Sequence, residues 1–191
     1  METFWFYQNL GFWHVMDWEG LDHLYFIISL AMPFSFRESR KLLLWVTLFT
    51  LGHTLSLVGN FYGGLSFSSY WIELLIPVTI AISAASLLLF KNDKYRSKQG
   101  FFFPLVTLVF GIIHGLGFGR YFNMLIPEDA LGLSLFSFAL GVEFAQAAIV
   151  IAVLSFSFLV LKIPKLSRKV WEIIIGSLVL ILALGIIFER I

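Results

Sequence analysis

Six long apolar stretches limit the folds available to this chain more than any other feature of its sequence. A helix needs about 20 apolar residues, each rising about 1.5 Å, to cross the ~30 Å hydrocarbon core of a bilayer. Only helices and closed barrels satisfy their backbone polar groups there. We therefore predict an all-α, polytopic membrane protein, a single bundle of six transmembrane helices. The predicted spans are about residues 21–36, 41–62, 70–90, 101–119, 132–161 and 170–188.

Residues 1–19 precede the first span and combine tryptophan and phenylalanine with acidic side chains. Such aromatic residues favour the boundary between lipid headgroups and hydrocarbon. We expect this segment to be an interfacial lead-in, and the whole chain, residues 1–191, to form one transmembrane domain. The first span is the shortest of the six and contains Pro33.

The composition agrees with a membrane protein and narrows the possible chemistry. Hydrophobic residues make up 59% of the chain and charged residues only 13%, against about 25% charged in soluble domains. A net charge of +1 gives no basis for nucleic-acid binding, so the lipid bilayer is the expected partner. Cysteine is absent, which excludes disulfides, thiolate ligands and iron–sulfur clusters. Any metal must therefore be held by nitrogen and oxygen.

The distribution of basic residues predicts the orientation. Eleven of the thirteen lysines and arginines lie in three loops, around residues 37–41, 91–98 and 162–169. These loops share one side of a six-span topology, and positively charged loops remain in the cytoplasm. We therefore expect both termini to lie outside.

Histidines and carboxylates within the spans are the candidate functional residues. His23, His53 and His114 lie on the first, second and fourth predicted spans, in or near their outer halves, and Asp22 precedes His23. Glu143 lies on the fifth span, where an ionised carboxylate costs about 2.5–3.5 kcal/mol at membrane depth. Glu143 must therefore be paired, protonated or bound to a cation.

Imidazole and carboxylate groups together form ligand sets that suit zinc, nickel, cobalt, copper or iron. We predict one metal site in which the three histidines of the spans are ligands and Asp22 and Glu143 lie among the ligands or beside them. His14, in the lead-in, is a further candidate ligand. The alternative is that each polar group satisfies a neighbouring helix and binds no metal.

The second and fourth spans share a short pattern. Phe49 precedes His53 by four residues, and Phe110 precedes His114 by the same number. Each of these spans is followed by one that carries a glutamate. Either an internal duplication or chance similarity between helices rich in phenylalanine and leucine accounts for this pattern.

Four motifs with these polar residues occur in order along the chain: GLDHLYF at 20–26, FTLGHTLSL at 49–57, FGIIHGLGF at 110–118 and GVEFAQ at 141–146. Over about residues 14–150 the chain resembles the HupE/UreJ family of small bacterial membrane proteins, in its branch with an HGxGF-type fourth span. Members of that family are associated with nickel or cobalt uptake. The resemblance implies a transition-metal permease of the bacterial cytoplasmic membrane, with nickel, cobalt or zinc as its ion.

By position, the resemblance implies roles for Asp22, His23, His53, His114 and Glu143. Two features depart from the family pattern. The histidine of the lead-in is separated from the Asp-His pair by seven residues, whereas the family motif places it five residues before the pair. Glycine and arginine follow the HGLGF motif, where the better-known nickel permeases carry an acid.

Two other functions are compatible with these residues. Three histidines can hold Zn²⁺ with one position open for water. A membrane-embedded hydrolase or transferase could then act on a lipid or lipidated substrate from the outer side, with Glu143 or Asp22 as general base and Thr54 or Ser56 as an orienting donor. The third possibility is a haem protein whose axial ligands come from the second and fourth spans.

The orientation can be tested with single cysteines, because the chain has none of its own. A cysteine at Gly132 should react with a membrane-impermeant maleimide added to intact cells, since the start of the fifth span is predicted to lie at the outer surface. A cysteine at Asn92 should react only after the membrane is opened. Labelling of position 92 in intact cells would contradict the predicted orientation.

Overall fold

The computed structural model describes residues 1–18, 20–63, 68–89, 102–126, 131–164 and 166–191, and these residues form helices joined by short turns. The predicted basic loop at 91–98 lies outside the described residues. A short 3₁₀ helix, Phe36–Glu38, precedes the third α-helix. The α-helices are α1 (Glu2–Val15), α2 (Asp22–Ala31), α3 (Ser39–Gly63), α4 (Ser69–Leu89), α5 (Phe102–Leu125), α6 (Leu131–Val160) and α7 (Arg168–Arg190).

The chain is a multi-pass membrane protein. Four of its described helices are long and apolar enough to cross a bilayer, namely Phe36–Gly63, Ser69–Leu89, Leu131–Val160 and Arg168–Arg190. They correspond to the second, third, fifth and sixth predicted spans. At the first predicted span the apolar helix is shorter, Asp22–Ala31, and at the fourth the apolar stretch Pro104–Gly119 lies within the longer helix α5. Length and composition thus support four of the six predicted spans.

The first predicted span, residues 21–36, does not form one continuous helix. Helix α2 ends at Ala31, shortly before Pro33, whose ring lacks an N–H and clashes with the preceding turn. The backbone N–H of Phe34 donates to the carbonyl of Ala31 at 2.9 Å. A capping box between Ser35 and Glu38 then starts the 3₁₀ helix. Ten helical residues rise about 15 Å, which is half of the hydrocarbon core.

The lead-in, expected at the interface, forms a helix that packs along α6. A Cβ on Gly11 would overlap the carbonyl oxygen of Phe138, so the backbones of α1 and α6 are in contact. The Tyr7 hydroxyl donates to the carbonyl of Leu125 at 2.7 Å, near the end of α5. At the other end of α1, His14 lies against Phe118, deeper in the bundle. Helix α1 therefore runs inward from the end where α3 and α5 terminate, which is the predicted outer end.

Helix α2 continues in the same direction over the other half of the bundle. The Ser29 hydroxyl donates to Ser83 of α4 at 2.7 Å, and Met32 lies 3.8 Å from the Ser157 hydroxyl of α6. Both contacts are close to the ends of α4 and α6 that face the predicted cytoplasmic side. Together α1 and α2 extend along the bundle as two half-length helices, and the end of α1 and the start of α2 meet at mid-depth.

Helices α3 and α5 pack in parallel at the centre of the bundle. A Cβ on Gly52 would overlap the carbonyl oxygen of Leu108, and one on Gly111 would overlap that of Phe49. Further along, a Cβ on Gly119 would lie 2.9 Å from the side chain of Asn60. Small residues permit this approach, and van der Waals packing of this kind drives helix association in lipid.

The surrounding helices repeat their contacts about this central pair. Helix α3 also contacts α6, as α5 contacts α4, while α2 contacts both α4 and α6. Helix α1 flanks α6, and α7 flanks α4. The pair α3 and α4 and the pair α5 and α6 therefore occupy matching places, and the repeated pattern of phenylalanine and histidine falls on the two matching central helices.

Alanine at Gly111 should destabilise the bundle, because its methyl group has no space against the α3 backbone. Overpacking of this kind costs about 1–3 kcal/mol of unfolding free energy. Alanine at Gly185 is the matched control, since a Cβ there meets nothing within 4 Å. That variant should gain about 0.5–1 kcal/mol from helix propensity. Unfolding in detergent micelles measures both, and equal stability of the two variants would contradict the packing argument.

Candidate metal centre

All four histidines of the chain meet near the centre of the bundle. The ring centroid of His14 lies 4.8 Å from that of His23 and 5.5 Å from that of His53. The His23 ring lies 5.7 Å from His53 and 5.4 Å from His114. Helices α1, α2, α3 and α5 each contribute one imidazole to this histidine cluster, so it exists only in the folded bundle.

His114 lies further from the end of its helix than the sequence predicted. His114 is eleven residues from the end of α5, or about 17 Å at 1.5 Å per residue. His53 is ten residues from the end of α3, or about 15 Å. The predicted distance from His114 to the helix end was shorter, because the fourth span was predicted to end at residue 119. Helix α5 instead continues to Leu125. The cluster therefore lies near the middle of both helices.

Two of the four imidazoles come from the break between α1 and α2. His14 is the penultimate residue of α1, and His23 is the second residue of α2. Gly20 lies between them and is a poor helix former. Non-helical backbone at membrane depth is tolerated where protein surrounds it. The break thus places two side chains beside His53 that a continuous helix would have carried more than two turns apart.

The nitrogen atoms of the cluster have the spacing of an open metal site. His14, His23 and His53 each offer one ligand atom, and these atoms lie within 4.8 Å of one another. Tetrahedral zinc with bonds of 2.0–2.1 Å separates its ligands by about 3.3 Å. A contraction of about 1.5 Å, within the reach of side-chain rotation, would bring the three nitrogens to that distance.

Buried polar atoms in the cluster lack partners, and this favours a ligand. Among the described residues, the buried atoms without a hydrogen bond include Nε2 of His14, His23 and His114 and both ring nitrogens of His53. Buried polar groups in folded proteins nearly always have a partner. The concentration of such atoms in one place fits a site whose ligand satisfies them when bound.

His114 is oriented by its own helix. Its Nδ1 lies 2.8 Å from the carbonyl oxygen of Phe110, one turn earlier, and donates its proton there. This bond fixes the tautomer, so the lone pair of Nε2 is available to a metal. His114 is therefore a fourth candidate ligand beside the three grouped imidazoles.

Phenylalanine rings enclose the histidine cluster. Phe118 lies 4.0 Å from the ring of His14, Phe138 lies 6.0 Å from His53, and Phe49 lies 5.0 Å from His114. This packing leaves no room for a porphyrin between His53 and His114, because the His23 ring lies close to both. The geometry thus disfavours the haem alternative.

The two predicted carboxylates are not grouped with the imidazoles. In the described part of the chain, the only set of ligand atoms close enough for one metal is that of His14, His23 and His53. Asp22 lies at the start of α2 and interacts electrostatically with Arg190.

Glu143 lies at the seam between α6 and α3. Its Oε1 accepts from the Thr47 hydroxyl at 2.6 Å, and its Oε2 lies 2.6 Å from Thr50 Oγ1. Gln146 follows Glu143 by three residues on α6, and its Oε1 lies 2.9 Å from the same Thr50 hydroxyl. The two threonines were not predicted, although their i, i+3 spacing on α3 is the corresponding signal.

The two hydroxyls proposed as orienting donors for an enzyme serve the backbone of their own helix. Thr54 donates to the carbonyl of Thr50 at 2.8 Å, and Ser56 donates to the carbonyl of His53 at 2.7 Å. Such bonds are common for threonine and serine within helices. Each hydroxyl therefore donates its proton within its own helix and not toward a substrate.

An all-helical, multi-pass membrane protein with a buried cluster of imidazoles is the class that this fold and site define. The family described as HupE / UreJ protein matches residues 1–190 of the chain. The chain therefore belongs to the HupE/UreJ family, as its four motifs predicted. Neither the curated proteins nor the solved structures provided a significant match.

A matched pair of glycines tests whether α5 positions the cluster. A Cβ on Gly115 would overlap the carbonyl oxygen of His53 and lie 2.9 Å from its Cα, whereas a Cβ on Gly117 meets only the side chains of Ile76 and Ile72, at 3.1 and 3.5 Å. Gly115→Ala should weaken Ni²⁺ or Zn²⁺ binding by about 10–100-fold, the range for residues that orient ligands. Gly117→Ala should change it less than threefold. Calorimetric titration of the folded variants measures both, and equal affinities would contradict this role of Gly115.

Proposed function

We propose that this protein is a permease for a divalent transition metal of the nickel, cobalt or zinc type. The observation that carries the proposal is the histidine cluster, in which three imidazoles from three separate helices offer ligand atoms within 4.8 Å. Their buried nitrogens lack partners in the described residues. The association of the HupE/UreJ family with nickel or cobalt uptake supports the same function.

A set of neutral nitrogen ligands suits transport of such an ion. Imidazole binds zinc, nickel and copper well, whereas Mg²⁺ and Ca²⁺ prefer oxygen. Without a carboxylate in the group, the site does not neutralise the charge of the ion. We expect the missing neutralisation to limit the affinity of the site for the ion. A permease needs such a limit, because the ion must leave the site as well as enter it.

The break between α1 and α2 also supports a transport site. Transporters commonly bind their substrate near the bilayer midplane, between the halves of discontinuous helices. The two half-helices contain 14 and 10 residues and rise about 36 Å together, enough for a ~30 Å core. We propose that they form the first of six spans, followed by α3 to α7, with both termini outside the bacterial cytoplasmic membrane.

The enzyme alternative has less support from this geometry. A general base must come within hydrogen-bond reach, directly or through one water, of the proton that it removes. Neither Asp22 nor Glu143 belongs to the group of potential ligand atoms around the cluster. The phenylalanine rings around the imidazoles also hinder the approach of a bulky lipid substrate.

Purified protein in sealed proteoliposomes provides the test. Wild-type vesicles should accumulate radioactive Ni²⁺, Co²⁺ or Zn²⁺ down an imposed gradient, and His23→Ala and His53→Ala should reduce the initial rate at least about tenfold. The expected size follows from the 10–100-fold losses caused by changing residues that orient metal ligands, since a direct ligand contributes more. Ser86→Ala is the control, because that hydroxyl donates to Ser83 within its own helix.

Two results would contradict the proposal. Unchanged accumulation in both histidine variants would remove the cluster from the transport path. Saturable metal binding without accumulation, together with consumption of a lipid substrate, would favour the membrane-embedded enzyme.

A further inference from the structure

The seam between α3 and α6 contains a second polar group, separate from the histidine cluster. It consists of Glu143 and Gln146 on α6 and Thr47 and Thr50 on α3, and we call it the carboxyl seam. Thr50 precedes His53 by three residues, so the seam lies about 4.5 Å nearer the predicted cytoplasmic end. Gln146 is completely buried, Glu143 is half-buried and Thr47 is exposed.

The hydrogen-bond contacts in the seam can accommodate more than one arrangement of protons. Thr50 Oγ1 lies 2.6 Å from Glu143 Oε2, 2.9 Å from Gln146 Oε1 and 3.3 Å from the carbonyl oxygen of Val46. One hydroxyl carries a single proton, so it cannot serve both side-chain contacts. With an ionised carboxylate, one of these two oxygen–oxygen contacts would have no proton between its atoms. With a neutral carboxyl, Glu143 donates to Thr50, and Thr50 donates to Gln146.

The amide of Gln146 provides the complementary arrangement. In the structure its oxygen faces Thr50, while its buried Nε2 has no hydrogen-bond partner among the described residues. Rotation of the amide by half a turn would direct Nε2 toward Thr50 as a donor. Thr50 could then donate to an ionised Glu143, so both protonation states of the carboxyl have a complete set of donors.

We propose that Glu143 is a proton-binding site within the membrane, distinct from the histidine cluster, and that the Gln146 amide reorients as the proton binds and leaves. In the described residues the Glu143 carboxyl contacts two hydroxyl groups and is bonded to no imidazole. Such surroundings suit a proton better than a transition metal. Oxygen–oxygen distances of 2.6 Å are those of direct hydrogen bonds. A bound cation would hold these oxygens further apart.

The titratable neighbours of the seam determine how it would respond to metal. Helix α6 packs against α1, α2 and α3, and these helices carry His14, His23 and His53, together with Asp22 at the start of α2. A divalent ion among the imidazoles would attract negative charge on Glu143 and favour release of its proton. This coupling rests on the proposed permease function, whereas proton binding itself does not.

The seam is also accessible from the lipid side. Thr47 and Phe144 are exposed on the surface of the bundle, on either side of the half-buried carboxyl. A hydrophobic carbodiimide dissolved in the membrane should therefore reach Glu143. The reagent reacts with a protonated carboxyl. The carboxyl oxygen bonds to the central carbon of the carbodiimide and the proton moves to a carbodiimide nitrogen, which gives an O-acylisourea.

The test labels metal-free full-length protein in vesicles with a fluorescent hydrophobic carbodiimide. Labelling should fall as pH rises and should fall at least tenfold in Glu143→Gln. Glu73→Gln, which changes an exposed acid on α4, should label like the wild type. Labelling that is independent of pH, or that persists in Glu143→Gln, would overturn the proposal.

Infrared difference spectra between low and high pH test the seam without a reagent. The carboxylic C=O band that appears at low pH should contain a component in the wild type that is missing in Glu143→Gln, while the components of the other acids remain. Thr50→Val should shift the Glu143 component, because the carboxyl loses a hydrogen-bond partner, while Glu73→Gln should leave it in place. A spectrum without the band, or a band that Glu143→Gln leaves unchanged, would overturn proton binding at Glu143.

Adding Zn²⁺ separates this inference from the permease function. Zn²⁺ should slow carbodiimide labelling of the wild type but not of His53→Ala, if metal and proton are coupled. Normal pH-dependent labelling with no effect of Zn²⁺ would reject the coupling and retain the proton site. If the vesicles accumulate metal but Glu143 is not labelled, the permease function stands and the proton site is rejected.

Discussion

The contact between the backbones of α3 and α5 is the interaction on which the rest of the bundle depends. Glycines at positions 52, 111 and 115 allow it, because a Cβ at any of them would overlap atoms of the other helix. Within lipid, apolar burial contributes little to helix association, so close van der Waals contact must supply the attraction. The contact also sets the parallel register that brings His53 and His114 to the same depth, and it leaves the outer faces of this pair for α4 and α6.

The interruption between α1 and α2 is the second constraint, and it connects the fold to the site. A continuous helix satisfies its own backbone and would present His14 and His23 on separate turns. The interrupted chain directs both imidazoles to one point, where surrounding protein makes the non-helical backbone tolerable at that depth. The same interruption gives the bundle two half-length helices, one along α6 and one between α4 and α6, in the manner of discontinuous helices in transporters.

The polar groups of the bundle are divided by chemistry. Nitrogen donors lie together among phenylalanine rings, and the oxygen donors of Glu143, Gln146 and Thr50 lie together about one turn away along α3. Imidazoles favour borderline transition metals, whereas a hydrogen-bonded carboxyl favours a proton. A metal ion at the imidazoles would therefore lie close enough to the carboxyl to favour release of its proton. This arrangement is consistent with a permease that moves a cation through an apolar medium.

The sequence by itself determined the class and the family of this protein. Apolar stretches of span length require a helical membrane protein because no water is present to satisfy a backbone at that depth, and the four motifs identified the HupE/UreJ family. The sequence also predicted that His23, His53 and His114 share one environment. Tertiary structure decided the rest: it extended α5 beyond residue 119, placed His14 in the cluster and Glu143 at a separate seam. Sequence spacing specifies which residues share a face of one helix, but only the packing of several helices decides which faces meet.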